Sequence, residues 1–322
     1  MLAKPSPIFK RAGRLLVSDR AYASGEVMRS NIDFDANGVR LHGWLYQPAH
    51  TGPHPLVVMA HGFSAVKEMG LDDYAGAFCA AGLAVLVYDN RNLGASEGLP
   101  RQEIDPIAQR RDYSHAITFA RSLPGIDPNR IGVWGTSYTG GLVIIAAALD
   151  RRIKCVVSQV PYLHGPATMD LVLPLEGRRE FEQMLETERC ALAAGQPPTL
   201  TTVCSDDASK PLHSASRLSW AYFNHYVAAG RALWPNAVTL RSLELRLDYD
   251  ALGAIARVAP TPLLMIVASE DTITPTSIAL AAFASAHEPK QLVLIPGHHY
   301  RPYLEAFAQA SQAARDWFVK HL

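Results

Sequence analysis

Charge imbalance is the first thing missing: 30 Lys and Arg face 30 Asp and Glu. A neutral chain lacks the basic footprint that nucleic-acid binding uses, so no nucleic-acid partner is expected. Cysteine is scarce and scattered, at Cys79, Cys155, Cys190 and Cys204. None sits in a C-x-x-C pair, which argues against a disulfide framework or a zinc site and leaves buried reduced thiols. Histidine spacing suggests no metal, and no cofactor is expected. No apolar run reaches about 18 residues, so no membrane span is predicted. Internal repeats and low-complexity tracts are absent. Residues 1–20 are basic and nearly acid-free, but Pro5 and Pro7 break them and no apolar stretch of signal-peptide length follows. A plain cytoplasmic start fits them better than an organellar transit peptide.

What is present is a folded-protein composition, with 48% hydrophobic and 19% charged residues over 322 positions. Residues 31–46 alternate apolar and polar on both sides of Ala36-Asn37-Gly38, which predicts a strand, a tight turn and a strand. Six short apolar runs follow, at 55–60, 83–88, 131–135, 153–160, 262–268 and 291–296. They do not alternate, which is the pattern of strands buried on both faces in a parallel sheet. Helical patterns separate most of them. Residues 71–81 end at Gly82. Residues 105–123 carry Ile107, Tyr113, Ala116, Ile117 and Ala120 at helical spacing, 138–149 form an apolar helix, and 303–321 an amphipathic one. Strand–helix alternation implies an open, mostly parallel central α/β sheet with helices on both faces.

One segment breaks the alternation. From 164 to 255 no strand of the core type appears. The segment holds charged helical stretches and an aromatic cluster around Trp220, Tyr222, Phe223 and Tyr226. It is too long for a loop, so it is expected to be a helical cap inserted into one core. The expected organisation is an N-terminal extension (1–29), a core (30–163 and 256–322) and the cap (164–255).

Ligands of open α/β sheets bind beyond the carboxyl ends of the strands. There the sequence places His61-Gly62-Phe63, Asp89, Ser137, Asp271 and His298-His299. Ser…Asp…His is one of the known orders of a catalytic triad. Ser137 lies in Gly135-Thr136-Ser137-Tyr138-Thr139-Gly140-Gly141, between a strand and a helix. A sharp turn there would expose its hydroxyl; the plainer alternative is a serine capping the helix. Asp271 can orient an imidazole, with exposed-loop acid as its plain alternative and Glu270 as its neighbouring rival. His299 suits a general base, with His298 as its rival. Backbone N–H groups of Phe63 and Tyr138 are candidates for an oxyanion hole. His61 and Arg91 read as residues that tie loops together.

Taken together these features resemble the α/β-hydrolase superfamily over roughly residues 30–320. Its marks are His61-Gly62-Phe63 after a strand, D-x-R-x-x-G-x-S at 89–96, the Gly135-x-Ser137 turn, and D-x-x-x-P at Asp271 before a late His. Within it the chain is similar to dienelactone-hydrolase-like proteins and to polyketide transferases or thiohydrolases. That group ends in a pattern like G-G-H-F-D-P-Y, with which Gly297-His298-His299-Tyr300-Arg301-Pro302-Tyr303 aligns. The register makes His299 the triad histidine, and the family spacing favours Asp271 over Glu270. Two positions depart from the pattern: Thr139 replaces the second Gly of G-x-S-x-G, and Arg301 stands where relatives have an acid. Arg301 is therefore expected to alter what the rim of the site attracts.

The resemblance implies a cofactor-independent serine hydrolase, with Ser137 as nucleophile, His299 as base and Asp271 as its orienting acid. It would cleave an ester or thioester through an acyl-enzyme. The aromatic cap points to a small-molecule acyl substrate with a largely apolar portion, although the same aromatics would serve simply to pack the cap. The alternatives are acyl transfer by the same triad and ligand binding without catalysis. A homodimer is left open.

Overall fold

The computed structural model describes residues 27–207 and 216–322. Most of the expected N-terminal extension lies outside the described residues. The hairpin is β1 (Val27–Asp35) and β2 (Arg40–Pro48), paired antiparallel from Val27 opposite Pro48 to Asp35 opposite Arg40. Asn37 and Gly38 both take positive φ, 58° and 85°, as a two-residue turn matched to strand twist requires. The Asp35 carboxylate accepts the Gly38 N–H at 3.0 Å.

Alternation then begins. It runs β3 (His54–Ala60), α1 (Leu71–Cys79), β4 (Ala84–Tyr88), α2 (Pro106–Ala120), β5 (Ile126–Thr136), α3 (Tyr138–Leu149) and β6 (Ile153–Gln159). Residues between β6 and the next sheet strand form α4 (Gly165–Val172), α5 (Leu175–Ala193), β7 (Leu200–Thr202), α6 (Arg217–Ala228), β8 (Ala237–Thr239), α7 (Leu240–Leu245) and α8 (Leu252–Ile255). The chain closes with β9 (Leu263–Ala268), α9 (Thr276–Ser285), β10 (Lys290–Ile295) and α10 (Phe307–His321).

The sheet order is β1-β2-β4-β3-β5-β6-β9-β10. Only β2 runs against the others in this sheet; β4, β3, β5, β6, β9 and β10 pair in parallel. Strand periodicity splits the core into two layers. Leu56, Val58 and Ala60 of β3 join Tyr113 and Ile117 of α2 and Leu142 and Val143 of α3 on one face. Val57 and Met59 join Tyr74 and Phe78 of α1 and Trp317 and Phe318 of α10 on the other. Each Val, Leu, Ile, Met or Phe among them contributes about 1.5–3 kcal/mol on burial. Among the described residues no helix is long and apolar enough to cross a membrane.

Four local expectations change. Ile107 is 53% exposed, whereas Tyr113, Ala116, Ile117 and Ala120 are buried. Six residues of helix place Ile107 about 120° away from Tyr113, and Gln109 and Asp112 take the inward positions instead. The final helix starts at Phe307 and not at 303, because Arg301–Tyr303 form a short 3-10 turn. That turn is held from the core: the Tyr74 hydroxyl donates to the Pro302 carbonyl at 2.7 Å. Strand β10 is an edge strand, and its Leu294 is 49% exposed. The segment between β6 and β9 is mainly helical but carries a two-stranded antiparallel ribbon, β7–β8.

Candidate active site

Strand β5 ends at Thr136, and Ser137 turns the chain into α3 with φ 54° and ψ −118°. A non-glycine residue there costs of order 1–3 kcal/mol and persists only where its surroundings enforce it. They do. The Ser137 N–H donates to Gln159 O at 2.8 Å, and Ser137 O accepts from Tyr162 N at 2.8 Å and Gly140 N at 3.0 Å. The hydroxyl does not cap α3. It points instead to His299, whose Nε2 lies 3.1 Å from Ser137 Oγ.

Glycines make this turn fit. A Cβ on Gly135 would lie 2.1 Å from Thr139 O, and one on Gly62 would lie 3.3 Å from Ser137 Cβ. Thr139, the departure from G-x-S-x-G, is buried with its hydroxyl in use. Its Oγ1 accepts from Thr136 N at 3.0 Å and lies 2.9 Å from Ala60 O. Gly140 and Gly141 let α3 approach the end of β6 and the residues after it, where a Cβ would meet Gln159 O at 2.9 Å or Tyr162 O at 2.1 Å.

Asp271 follows β9 and His299 follows β10. Asp271 Oδ2 lies 2.6 Å from His299 Nδ1. Asp271 Oδ1 accepts the N–H groups of Ile273 and Thr274 at 2.9 and 2.8 Å. Burial pushes this carboxyl up, but the adjacent imidazole and the Thr274 hydrogen bonds outweigh burial and hold it below its ordinary value. Glu270 is exposed, and His298 is half-buried with Nδ1 accepting the Tyr300 N–H at 3.2 Å. The structure thus brings Ser137, His299 and Asp271 together and leaves both rivals outside the cluster. No hydrogen bond among the described residues uses the N–H of Phe63 or Tyr138, and both residues line the same cavity as Ser137.

His61 and Arg91 are ties. His61 Nδ1 lies 2.9 Å from Gly62 O, and its Nε2 accepts Asn90 N–H at 3.0 Å. Arg91 grips Asp112 of α2 through Nε at 2.8 Å and through Nη2. Arg301 does not line the cavity; it packs against Gly297, 3.8 Å from Glu305.

Four residues escaped the sequence reading. Thr274 Oγ1 lies 2.8 Å from Asp271 Oδ2 and 3.1 Å from His299 Nδ1; the acid-x-x-Thr spacing is the signal that points to it. Lys67 donates through its N–H to Asp89 Oδ1 at 2.8 Å and through Nζ to Oδ2 at 2.7 Å, fully buried. Tyr300 stacks on Tyr222 with ring centres 4.4 Å apart. Arg246 lines the cavity. Lys67 and Arg246 carry no motif; Tyr300 lies in the Gly297–Tyr303 pattern, which marks its position but not its partner on the other side of the cavity.

The cavity is about 440 Å³. The core lines its floor with Phe63, Ser137, Tyr138 and His299, and the segment between β6 and β9 its walls with residues such as Met169, Leu173, Tyr222 and Leu243. Among the described residues no group of three or more His, Cys, Asp or Glu is placed to hold a metal ion.

Comparison with known proteins relates the chain to hydrolases and transferases. The X-Pro dipeptidyl-peptidase (S15) family matches residues 37–172, less than half of the chain. A thiohydrolase of Eupenicillium brefeldianum is 32% identical over 273 residues, covering 84% of this chain and 86% of the relative. The polyketide transferase af380 of Aspergillus fumigatus is 29% identical over 303 residues, covering 91% and 99%. The crystal structure of the alpha/beta hydrolase GrgF from Penicillium sp. sh18 superposes with a TM-score of 0.79 at 25% identity, covering 91% of this chain and 98% of that one.

Proposed function

The chain belongs to the α/β-hydrolase superfamily, within it to the family of these thiohydrolases and polyketide transferases, and on that premise we propose Ser137, His299 and Asp271 as its catalytic triad. It is an enzyme acting on ester or thioester bonds. The observation that carries the proposal is the imidazole of His299, 2.6 Å from Asp271 on one nitrogen and 3.1 Å from Ser137 Oγ on the other.

The steps follow from that geometry. Asp271 accepts a hydrogen bond from His299 Nδ1–H, which fixes the tautomer that leaves Nε2 free to take the hydroxyl proton as Ser137 attacks the acyl carbon. The N–H groups of Phe63 and Tyr138 receive the oxyanion. His299 returns the proton to the leaving alcohol or thiol, and an acyl group stays on Ser137. Water, activated by the same nitrogen, releases the acid and restores the serine. The apolar walls of the cavity support a substrate with a largely apolar acyl portion.

A second reading, acyl transfer, has support in the polyketide transferase relative. A bound alcohol or amine then replaces water in the last step, with the same residues acting. A cytoplasmic location and a homodimer belong to the proposal as well. Four free thiols, three of them buried, fit a reducing compartment, and sedimentation velocity tests the dimer.

The test is a fluorophosphonate probe read by intact and peptide mass, with Ser137→Ala and heat-denatured protein as controls. A single adduct on Ser137, absent from both controls, is expected. Labelling elsewhere, with Ser137→Ala turning over esters normally, sinks the assignment. An ester and thioester panel, run with and without alcohol and amine acceptors, then separates hydrolysis from transfer.

A further inference from the structure

The cavity wall holds one permanently charged side chain among the described residues, Arg246. It lies in the short turn Arg246–Asp248 after α7. Its guanidinium sits 5.4 Å from the ring centre of Phe63 and 5.9 Å from that of Tyr162. No Asp, Glu or Lys lines the cavity with it.

Arg246 is unlike the other arginines that bury an Nε without a partner. Arg178, Arg241 and Arg301 do so too, but each has an acid on its guanidinium: Asp170, Glu103 and Glu305 respectively. Arg246 forms no ion pair and no side-chain hydrogen bond among the described residues. The two aromatic rings lie near the outer limit of cation–π attraction and satisfy none of its five N–H donors. A guanidinium that faces the cavity with a buried Nε–H lacking an acceptor is available to an acceptor that enters. Its planar fork matches a carboxylate in two parallel hydrogen bonds.

We propose that Arg246 selects acyl substrates carrying a carboxylate remote from the scissile bond. The inference rests on the reading of the cavity as the acyl site of a serine hydrolase and adds the polarity of the substrate's far end. The substrate is then amphipathic: a reacting carbonyl over Ser137, an apolar stretch along the cavity walls, and an anionic end at Arg246. Arg246 acts here as a binding residue and takes no part in the proton transfers.

Two experiments test it. In the first, p-nitrophenyl half-esters of C4, C6 and C8 dicarboxylic acids are compared with the p-nitrophenyl esters of the matching monocarboxylic acids. The wild type should prefer one half-ester over its neutral match by on the order of ten-fold in kcat/KM, mainly through KM. The preferred length reports the span from Ser137 to Arg246, and the preference should weaken with salt. Arg246→Met should bring the ratio near one, and Arg246→Lys should keep part of it. Equal loss on both substrate series in Arg246→Met, or no wild-type preference at any length, overturns the proposal.

The second experiment needs no turnover. Titration calorimetry on Ser137→Ala compares monomethyl suberate with dimethyl suberate. About ten-fold tighter binding of the monoester, lost when Arg246→Met is added, is expected. Equal affinities for the two overturn the inference even if Ser137 labels normally. Failure of the triad reading shows separately, as absent labelling of Ser137.

Discussion

The two halves of this site are built differently. The core holds Ser137 and Asp271 by their main chain. The Ser137 N–H donates to Gln159 O at the end of β6, its C=O accepts from Tyr162 N–H, and the Asp271 N–H donates to Thr276 Oγ1 at 3.0 Å. The segment between β6 and β9 has main-chain ties to the core, such as Thr239 N–H to Gln102 O at 3.0 Å, but around the cavity it is joined to the core by side chains as well. Trp234 Nε1 donates to Ser64 O at 2.8 Å, Tyr222 OH to Met69 O at 3.0 Å, and Tyr300 OH to Ser219 Oγ at 2.9 Å. It also leaves Leu171 and Leu175 well exposed beside the cavity walls. Rigid main-chain geometry serves the bond-breaking steps, where an error of an ångström is costly. Side-chain walls serve the substrate, where exchange of residues is tolerated. Changes in the core should therefore act on kcat, and changes in the insertion on selectivity and KM.

The strongest way to break that contrast is within the proposed triad. His299→Ala is expected to lower kcat by roughly 10⁶-fold, and Asp271→Asn by about 10⁴-fold because the wrong imidazole tautomer is then favoured. Both variants should remain folded, read by circular dichroism and denaturant midpoints. The acid limb carries a sign. Burial raises the Asp271 carboxyl, yet His299 and Thr274 hold it below its ordinary value. Its contribution to stability is therefore complete above the ordinary carboxylate range and is lost only as pH falls through the depressed value. A kcat of Asp271→Asn within ten-fold of wild type removes the triad from the mechanism.

The contrast also explains what was legible in the sequence. The turn after β5 could be read because its small residues have no substitute: a Cβ at Gly135 would sit 2.1 Å from Thr139 O. Asp271 and His299 were readable because parallel strands deliver their following residues to one edge of the sheet. The register of the last histidine needed the family pattern, since His298 and His299 follow the same strand. Ile107 misled because a wide helical stripe tolerates one member out of phase. In the insertion, the β7–β8 ribbon is three residues per strand, too short for alternation to show. Arg246 carries no motif at all; its meaning comes from the acids that do not surround it, which only the folded chain reveals.

A smaller effect tests whether the core's precision extends to the loop bearing Phe63. Lys67 of that loop forms a buried pair with Asp89, which follows β4, and Lys67 Nζ lies 4.9 Å from the centre of the Trp44 ring. Lys67→Met should cost about 3–5 kcal/mol, because it strands a buried carboxylate. Burial lowers Lys67, but Asp89 and Glu68 outweigh it and hold the ammonium above its ordinary value. Burial likewise raises Asp89, while Lys67 and His61 hold it low. The pair is thus fully formed at neutral pH. Its stabilisation is lost in acid through the depressed Asp89 value and in base through the raised Lys67 value. Urea titrations should show the gap between variant and wild type narrowing on acidification; a constant gap means the lost stability came from packing against Trp44.

On the insertion side, Met169→Trp should shorten the acyl chains accepted. The added ring fills cavity next to α4 and removes room for about one to three methylenes. We expect kcat/KM on long acyl chains to fall about 10- to 100-fold relative to short ones, with kcat on acetyl esters close to wild type. A uniform loss across chain lengths would show that α4 bears on the chemistry and not only on fit.

The smallest expected effect lies on the seam itself. Tyr300 follows His299, stacks on Tyr222 and donates its hydroxyl to Ser219. Tyr300→Phe removes that single hydrogen bond and keeps the stack. Ser219 Oγ retains Ser216 Oγ at 2.8 Å, so no buried polar atom is stranded on the insertion. The cost should stay at the low end of a lost hydrogen bond, about 0.5 kcal/mol. If core and insertion are mechanically separate, kcat is unchanged and only KM moves. A kcat loss beyond about five-fold with normal stability would instead mean that α6 sets the position of the His299 ring through Tyr300. The two halves would then act as one device, and the division between reacting core and selecting wall would fall at Tyr300.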